Sequence, residues 1–507
     1  MFETIATALP TLTEIANFIV VAASTVVLVG TGTAAAVVGK MIYNDRKQTK
    51  DAVRHNVPLL GRLIPFIDRE LGPLLRNHII APSNNQQPFD RNARDHDAQA
   101  SQGKLPMTGH GSNVNIHEAG VPLFVNAQYG LLPSEQAPTP LLTIGEGARN
   151  PYTPKSIFNI SAMSHGSLGK NAVTAISKGA ALANCWVDIG EGGMSPYHLE
   201  GHCDLIFQIG TAKYGVRKKD GTLDEDALRE AAAHPEVKMF EIKLNQGAKP
   251  GKGGILPGAK VTPEIAGIRH LPVFQDSISP NRHVDIKNDA ELLDQIHRVR
   301  EITGKPTGIK TIFSSRKHVE SLCDEILKRG IDSAPDFITL DGGEGGSGAA
   351  PTGLMDSMGI SIIEEIPMVK EVLVEKGLDK RIRIIAAGKM GSGKMAALAI
   401  ALGADFVNAA RGVKRAMGCV GSQNCHLGTC VAGITTHDPE LQKALDPEVR
   451  KFDIANFMKT VTEELEIHAH SVGVPHARLL RPEHVRFADA NGVTSTPATT
   501  MFPNLKF

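Results

Sequence analysis

The sequence predicts an α/β fold, a (β/α)8 TIM barrel with an N-terminal transmembrane helix and a C-terminal helical extension. Three observations predict it. Eight short apolar or β-branched runs recur between residues 156 and 412, each closed by a Gly-rich or polar turn and most followed by a helix-like stretch. Strands that alternate with helices argue for a parallel sheet, and these units extend over about 260 residues, against the ~250 typical of such a barrel. Upstream, residues 18–39 (FIVVAASTVVLVGTGTAAAVVG) run for 22 positions without a charge, and a membrane-spanning helix needs about 20 apolar residues.

Taken in chain order, residues 1–50 read as the anchor. Glu3 and Glu14 precede the apolar run and no cation does, which argues against a cleaved signal peptide. Lys40, Arg46, Lys47 and Lys50 follow it. Cations flank the cytoplasmic side of a span, so a single-pass inner-membrane protein is expected, with everything after residue 40 in the cytoplasm. Residues 51–80 show apolar residues at helical spacing, broken by Pro58, Pro65 and Pro73, and residues 81–120 are polar and turn-rich. The whole of 51–150 reads as a lead-in that wraps a larger domain.

The barrel is expected over 151–440. Its strand runs are SIFNISAMS (156–164), WVDIGEGG (186–193), LIFQIG (205–210), MFEIKLNQG (239–247), TGIKTI (307–312), DFITLDGG (336–343), IRIIAAG (382–388) and ADFVNAARG (404–412). A doubly wound open sheet would need G-x-G-x-x-G after its first strand, and SAMSHGSLG is not that. In a barrel the chemistry sits at the C-terminal ends of the strands. Residues 441–507 hold one helical pattern, 448–473, and then a tail with prolines.

Composition narrows the function. Lys plus Arg and Asp plus Glu number 54 each, so no basic excess points to nucleic acid. With 50 glycines and 5% aromatic residues, the chain fits a Gly-looped α/β enzyme. GKMGSGKM (388–395) nearly matches a Walker A loop, but Met395 stands where a hydroxyl would hold magnesium. Gly388, Gly391 and Gly393 allow close backbone approach before a helix, and AARG (409–412) supplies Ala410, Arg411 and Gly412 on the next loop. The loops after strands seven and eight are where barrels bind phosphate, so a phosphorylated cofactor is expected in the barrel mouth.

The six cysteines fall into two groups. Cys185, Cys203 and Cys323 are isolated and read as buried small hydrophobes. Cys419, Cys425 and Cys430 lie within GCVGSQNCHLGTCVAG (418–433). In a reducing compartment such clustering favours metal binding or catalysis over disulfides.

Between about 150 and 440 the chain resembles the FMN-binding barrel domain of glutamate synthases. The resemblance rests on GEGG (190–193), QIGTAKYGV (208–216), NQGAKPGKGGILPGAKV (245–261), SPNRHVDI (279–286), GGEGGSGAAP (342–351) and CHLGTCVAGITTHDPEL (425–441). The anchor and PFDRNARD (88–95) resemble the stand-alone, membrane-tethered branch. The resemblance implies a 3Fe–4S cluster on Cys419, Cys425 and Cys430, and one thiolate per iron suits three irons. Zinc with His426 as fourth ligand is the alternative, but adjacent Cys425 and His426 would have to converge on one ion.

The resemblance also assigns FMN, which can take single electrons from a cluster and pass a hydride to substrate. Ala162, Met163 and Ser164 would line its ring with Gln208 nearby, Lys243 would face its pyrimidine end, and Gly342, Gly343, Gly345 and Gly346 would approach the ribityl chain. The implied reaction reduces the imine of 2-oxoglutarate and ammonia to L-glutamate. Lys249 and Arg269 would hold the acidic substrate, and Glu191 would act as acid/base on the nitrogen.

The chain departs from the family pattern in three places. It begins Met1–Phe2 with its first cysteine at Cys185, so no glutaminase domain with an N-terminal cysteine nucleophile is expected. No large C-terminal β-helical domain is expected either. Ile255 stands where the family places a substrate-contacting glutamine. A glutaminase partner and an electron-donor protein are therefore expected. The alternatives are an N-methylglutamate-forming transferase subunit, or a membrane-tethered electron-transfer or redox-sensing flavoprotein.

Overall fold

In a computed structural model, which describes residues 12–66 and 89–507, each predicted run supplies one barrel strand. They are β1 (Phe158–Ile160), β2 (Val187–Asp188), β3 (Leu205–Ile209), β4 (Val237–Lys243), β5 (Thr307–Thr311), β6 (Phe337–Asp341), β7 (Arg383–Ala387) and β8 (Phe406–Ala409). Every strand pairs in parallel with its neighbours in sequence, and β8 pairs with β1, so the sheet closes into an eight-stranded barrel. The runs are continuously apolar because both faces of a parallel sheet are covered.

An outer ring of helices covers the strands: α1 (Lys170–Ala183), α2 (Glu225–Ala233), α3 (Asp289–Thr303), α4 (Arg316–Arg329), α5 (Ile362–Glu375) and α6 (Gly393–Ala401). A short helix, α7 (Arg411–Ala416), follows β8. The long helix α8 (Pro447–Ser471) packs against α1 and α6 and completes the ring. Residues 447–471 therefore belong to the barrel's helical layer, not to an extension outside it. Gly179 permits the approach of α1, because a Cβ there would lie 2.7 Å from the Ile454 Cβ.

Alternation along the strands sorts the barrel interior into layers. Trp186, Ile206, Met239, Phe337, Ile385 and Phe406 form an apolar cluster with Ile144 and Tyr152, which lie on a small antiparallel bridge closing the barrel's lower end. Two residues further along come Asp188, Gln208, Glu241, Thr339 and Asn408, all buried. Two more bring Lys243, Lys310 and Asp341 to the mouth. The lead-in and the tail meet in a three-stranded antiparallel sheet of Pro122–Phe124, Val485–Ala488 and Ser495–Pro497.

The membrane expectation is overturned. Residues 18–39 lie in one helix, Leu12–Lys47, but among the described residues no helix is long and apolar enough to cross a membrane. Along it Gly30, Thr31, Gly32 and Thr33 alternate before three alanines, and Lys40 and Asp45 follow, which dilutes the apolar run. The inner-membrane localisation is withdrawn with it. Asp45 is buried and pairs with Arg54 at 2.9 Å and Arg62 at 2.7 Å, fixing the helix end to residues 52–62. Pro73 and the start of PFDRNARD lie outside the described residues.

Candidate functional site

One cavity opens at the C-terminal ends of the strands and gathers most of the predicted residues. Ala162, Met163 and Ser164 follow β1, Glu191 follows β2, Gln208 sits on β3, and Lys243 ends β4. Lys249 and Arg269 come from the long β4–β5 excursion. Gly345 and Gly346 follow β6, Gly388 and Gly391 follow β7, and Ala410, Arg411 and Gly412 open α7.

Two predicted glycines lie elsewhere. Gly342 and Gly343 do not line the cavity, and their amides are engaged with Ala387 O at 3.0 Å and Ile360 O at 2.7 Å. A Cβ on Gly342 would strike the Ile362 Cβ at 2.5 Å, so this glycine admits the start of α5. The loop after β7 is corrected too. The Gly393 N–H, expected to face a phosphate, donates to Glu464 at 2.9 Å.

The substrate-side charges form one cluster. Lys243 Nζ donates to Glu191 Oε1 at 2.9 Å and to Gln246 Oε1 at 3.2 Å. Burial pushes the Glu191 carboxyl up, but Lys243, Lys249 and Arg269 outweigh it and hold the group down at about 2. A carboxyl so strongly ionised is a poor proton donor at neutral pH. Lys249 is 3% exposed, and its Nζ donates to Gly253 O at 3.3 Å. Burial lowers its pKa to about 8, with Lys243 and Lys252 adding to the effect against Glu191.

Arg269 is 4% exposed, its Cζ lies 5.1 Å from the Tyr214 ring centroid, and its Nη2 donates to His165 O at 3.3 Å. Its Nε has no hydrogen-bond partner among the described residues. Gly192 makes room for the guanidinium, since a Cβ there would sit 2.6 Å from Nη2. Ile255, half-buried in a two-stranded ladder with Ile278, lines the same wall.

Three lining residues escaped the sequence reading. Lys310 on β5 is 4% exposed, and its ion pair is with Asp341 Oδ2 at 3.8 Å, beyond hydrogen-bond reach. Burial lowers its pKa, but Asp341, Glu241 and Asp188 outweigh this, so it stays an ammonium. The readable signal was a lysine inside an otherwise buried strand, at the register position of Lys243. Phe89, from the lead-in, lies under the guanidinium groups of Arg411 and Arg415, whose Cζ atoms are 5.0 and 4.3 Å from its ring centroid. Lys260 Nζ donates to Ser167 O at 2.7 Å and Cys425 O at 3.3 Å, joining the cavity wall to the cysteine loop.

Cys425 and His426 line the cavity, whereas Cys419 and Cys430 do not. Cys419 and Cys425 are half-buried, Cys430 is buried, and all three are free thiols. Among the described residues, no group of three His, Cys, Asp or Glu side chains is placed to hold a metal ion. Cys185, Cys203 and Cys323 are buried, as expected.

Residues 117–475 match the family described as conserved region in glutamate synthase. Glutamate synthase large subunit-like protein YerD of Bacillus subtilis is 35% identical over 487 residues, covering 88% of this chain and 92% of that protein. The archaeal-type glutamate synthase (NADPH) of Thermotoga neapolitana is 34% identical over 322 residues, which is 63% of this chain and 60% of that protein. A flavocytochrome b2 mutant with benzoylformate matches at 12% identity and a TM-score of 0.44, over 78% of this chain and 79% of that one. That likeness is too low to carry an argument.

Proposed function

This chain belongs to the glutamate synthase family, and from that premise we propose that it is an FMN-dependent oxidoreductase reducing the imine of 2-oxoglutarate and ammonia to L-glutamate. The observation that carries the reading is the cavity's division into two chemistries. One end offers Lys249 and Arg269, buried cations with few protein partners. The other offers Gln208, whose buried Oε1 lacks a partner, and Lys310, whose Nζ is held only by a long ion pair.

The residues present fit FMN. Arg411 and Gly412 at the start of α7 suit the phosphate, and Gly346 leaves room beside them, since a Cβ there would meet Arg411 Cδ at 3.1 Å. Ala162, Met163, Ser164 and Gln208 suit the ring, and Lys310 joins Lys243 as a cation for its pyrimidine end. When bound, the flavin supplies the hydride.

The chain's own residues do the rest. Lys243 is paired with Glu191, which leaves Lys249 and Arg269 as two positive charges to match a dicarboxylate. An arginine fork fixes one carboxylate in orientation as well as charge. Glu191 holds Lys243 in place and serves as a fixed anion beside the reacting nitrogen. Met163, Ile255 and Leu256 supply apolar wall to the cavity.

A 3Fe–4S cluster on Cys419, Cys425 and Cys430 belongs to the same proposal, supported by their spacing and by Cys425 in the cavity wall. The three thiols as placed do not form a ligand set, so no step is routed through it. An electron-donor protein and a glutaminase partner are proposed with it. Ile255 favours a second reading, a related 2-oxo acid or an electron acceptor in place of 2-oxoglutarate.

The test is ligand binding. The purified protein should carry about one FMN per chain, and 2-oxoglutarate should perturb the flavin absorbance. A protein that retains no flavin, or a flavin blind to every dicarboxylate, would remove the reading.

A further inference from the structure

We propose that the buried carboxyl pair Asp188 and Glu241 is a positioning device that locks Gln208 with its amide oxygen toward the cavity, presenting a fixed acceptor to the imide N3–H of the bound ring. The proposal rests on the flavin reading of this cavity. It concerns residues two layers into the barrel that contact neither phosphate nor acid.

A glutamine amide has two N–H bonds to give and one oxygen to offer. Gln208 Nε2 donates to Asp188 Oδ2 at 3.0 Å and to Glu241 Oε1 at 2.7 Å, so both N–H bonds are used within the barrel. Turning the amide over would set its oxygen against two carboxyl oxygens. The carboxyls are fixed in turn. Gly190 N donates to Asp188 Oδ1 at 2.8 Å, and the Thr339 hydroxyl donates to Glu241 Oε2. Asp188, Gln208 and Glu241 are each at most 1% exposed.

This arrangement leaves Gln208 Oε1 buried and without a partner among the described residues. An unsatisfied buried acceptor is costly to the fold, and a ligand N–H would relieve that cost. Gln208 lines the cavity, whereas Asp188 and Glu241 do not, so the donor must come from the cavity side. Oxidised isoalloxazine carries a single N–H, at N3. Burial and the Glu241 carboxylate push the Asp188 carboxyl up. The lock needs the oxygens that face Gln208, Asp188 Oδ2 and Glu241 Oε1, to be unprotonated, because an O–H there could donate to a turned amide oxygen.

Full-length protein reconstituted with 15N-labelled FMN tests this through the N3–H resonance, which moves downfield on hydrogen bonding. Wild type should show a downfield N3–H signal, and Gln208→Met should move it upfield. Asp188→Asn and Glu241→Gln bring in side-chain amides that can turn either way, which unlocks Gln208. They should move the signal toward that of Gln208→Met and weaken FMN binding roughly tenfold, about 1.4 kcal/mol. Thr339→Val removes one clamp on Glu241 and should give an intermediate shift even if the carboxyl variants fold poorly. A wild-type signal retained in Asp188→Asn, Glu241→Gln and Thr339→Val overturns the positioning role. A signal unmoved by Gln208→Met overturns the acceptor itself, and wild type without FMN overturns the flavin reading first.

Discussion

Arg269→Met should weaken acid binding strongly while leaving the protein as stable as before or more so. The side chain is 4% exposed, yet its protein hydrogen bond is one at 3.3 Å to His165 O, and its Nε has no partner. Burial lowers its pKa, with Tyr214 and Glu191 only partly compensating, so the charge is held at a cost to the fold. Replacing a poorly compensated buried charge by an apolar group of similar volume is commonly neutral or stabilising, here by on the order of 1 kcal/mol. Removing a charged partner from a buried ligand carboxylate costs about 2–5 kcal/mol, which is roughly 30- to 4,000-fold in affinity at 1.4 kcal/mol per tenfold. The assay pairs urea unfolding of the ligand-free, FMN-loaded protein with a 2-oxoglutarate titration followed by flavin absorbance. A variant destabilised by more than about 2 kcal/mol with unchanged acid affinity would make Arg269 a structural residue and refute the reasoning.

Further outcomes follow from the same charges. Lys310→Met should lower the flavin midpoint potential by tens of millivolts, since an ammonium about 4 Å from a forming anion is worth up to about 4 kcal/mol near ε of 20 and Asp341 already offsets part of it; an unchanged potential would place Lys310 away from the ring. His96 lies between Asp97 at 3.0 Å and Glu464 at 2.8 Å, and although burial lowers its pKa these carboxylates raise it from 6.5 to about 9. A raised pKa gives stability that is full below about 6.5 and lost as pH rises through about 9, roughly 3 kcal/mol in all. His96→Gln should flatten that loss in unfolding measured from pH 6 to 10, and a wild type with no loss there would contradict it. Cys425→Ser should abolish iron binding while FMN remains, and stoichiometric zinc after anaerobic purification would favour the zinc alternative.

The barrel was legible because each strand run ends in a glycine or polar turn, and because parallel strands covered on both faces are apolar throughout. The residues Lys243, Lys249 and Arg269 were singled out by the family resemblance, and the structure brings them into one cavity. What was hidden depends on distance in sequence. The Gly393 amide is taken by Glu464, 71 residues away, and α8 completes the ring only by meeting α1 from the far end of the chain. Lys310, Asp188 and Glu241 are charged residues within buried strands, and neither the run nor its turn shows which side of the barrel each faces. Gly342 and Gly343 sit in a glycine-rich motif, but their neighbours at 360–362 decide that they serve packing. The charge-free run at 18–39 formed a helix, as its composition dictates, without meeting the requirement for a membrane span.

The central claim, hydride delivery to a nitrogen-bearing 2-oxo acid in the barrel mouth, is tested most directly by anaerobic re-oxidation. FMN-loaded protein is reduced with dithionite, freed of excess reductant, and mixed with 2-oxoglutarate, with ammonium, or with both. The account predicts rapid re-oxidation with both together, about one glutamate formed per flavin, and little with either alone. Re-oxidation that ignores ammonium, or a flavin that stays reduced with every 2-oxo acid supplied, would contradict it.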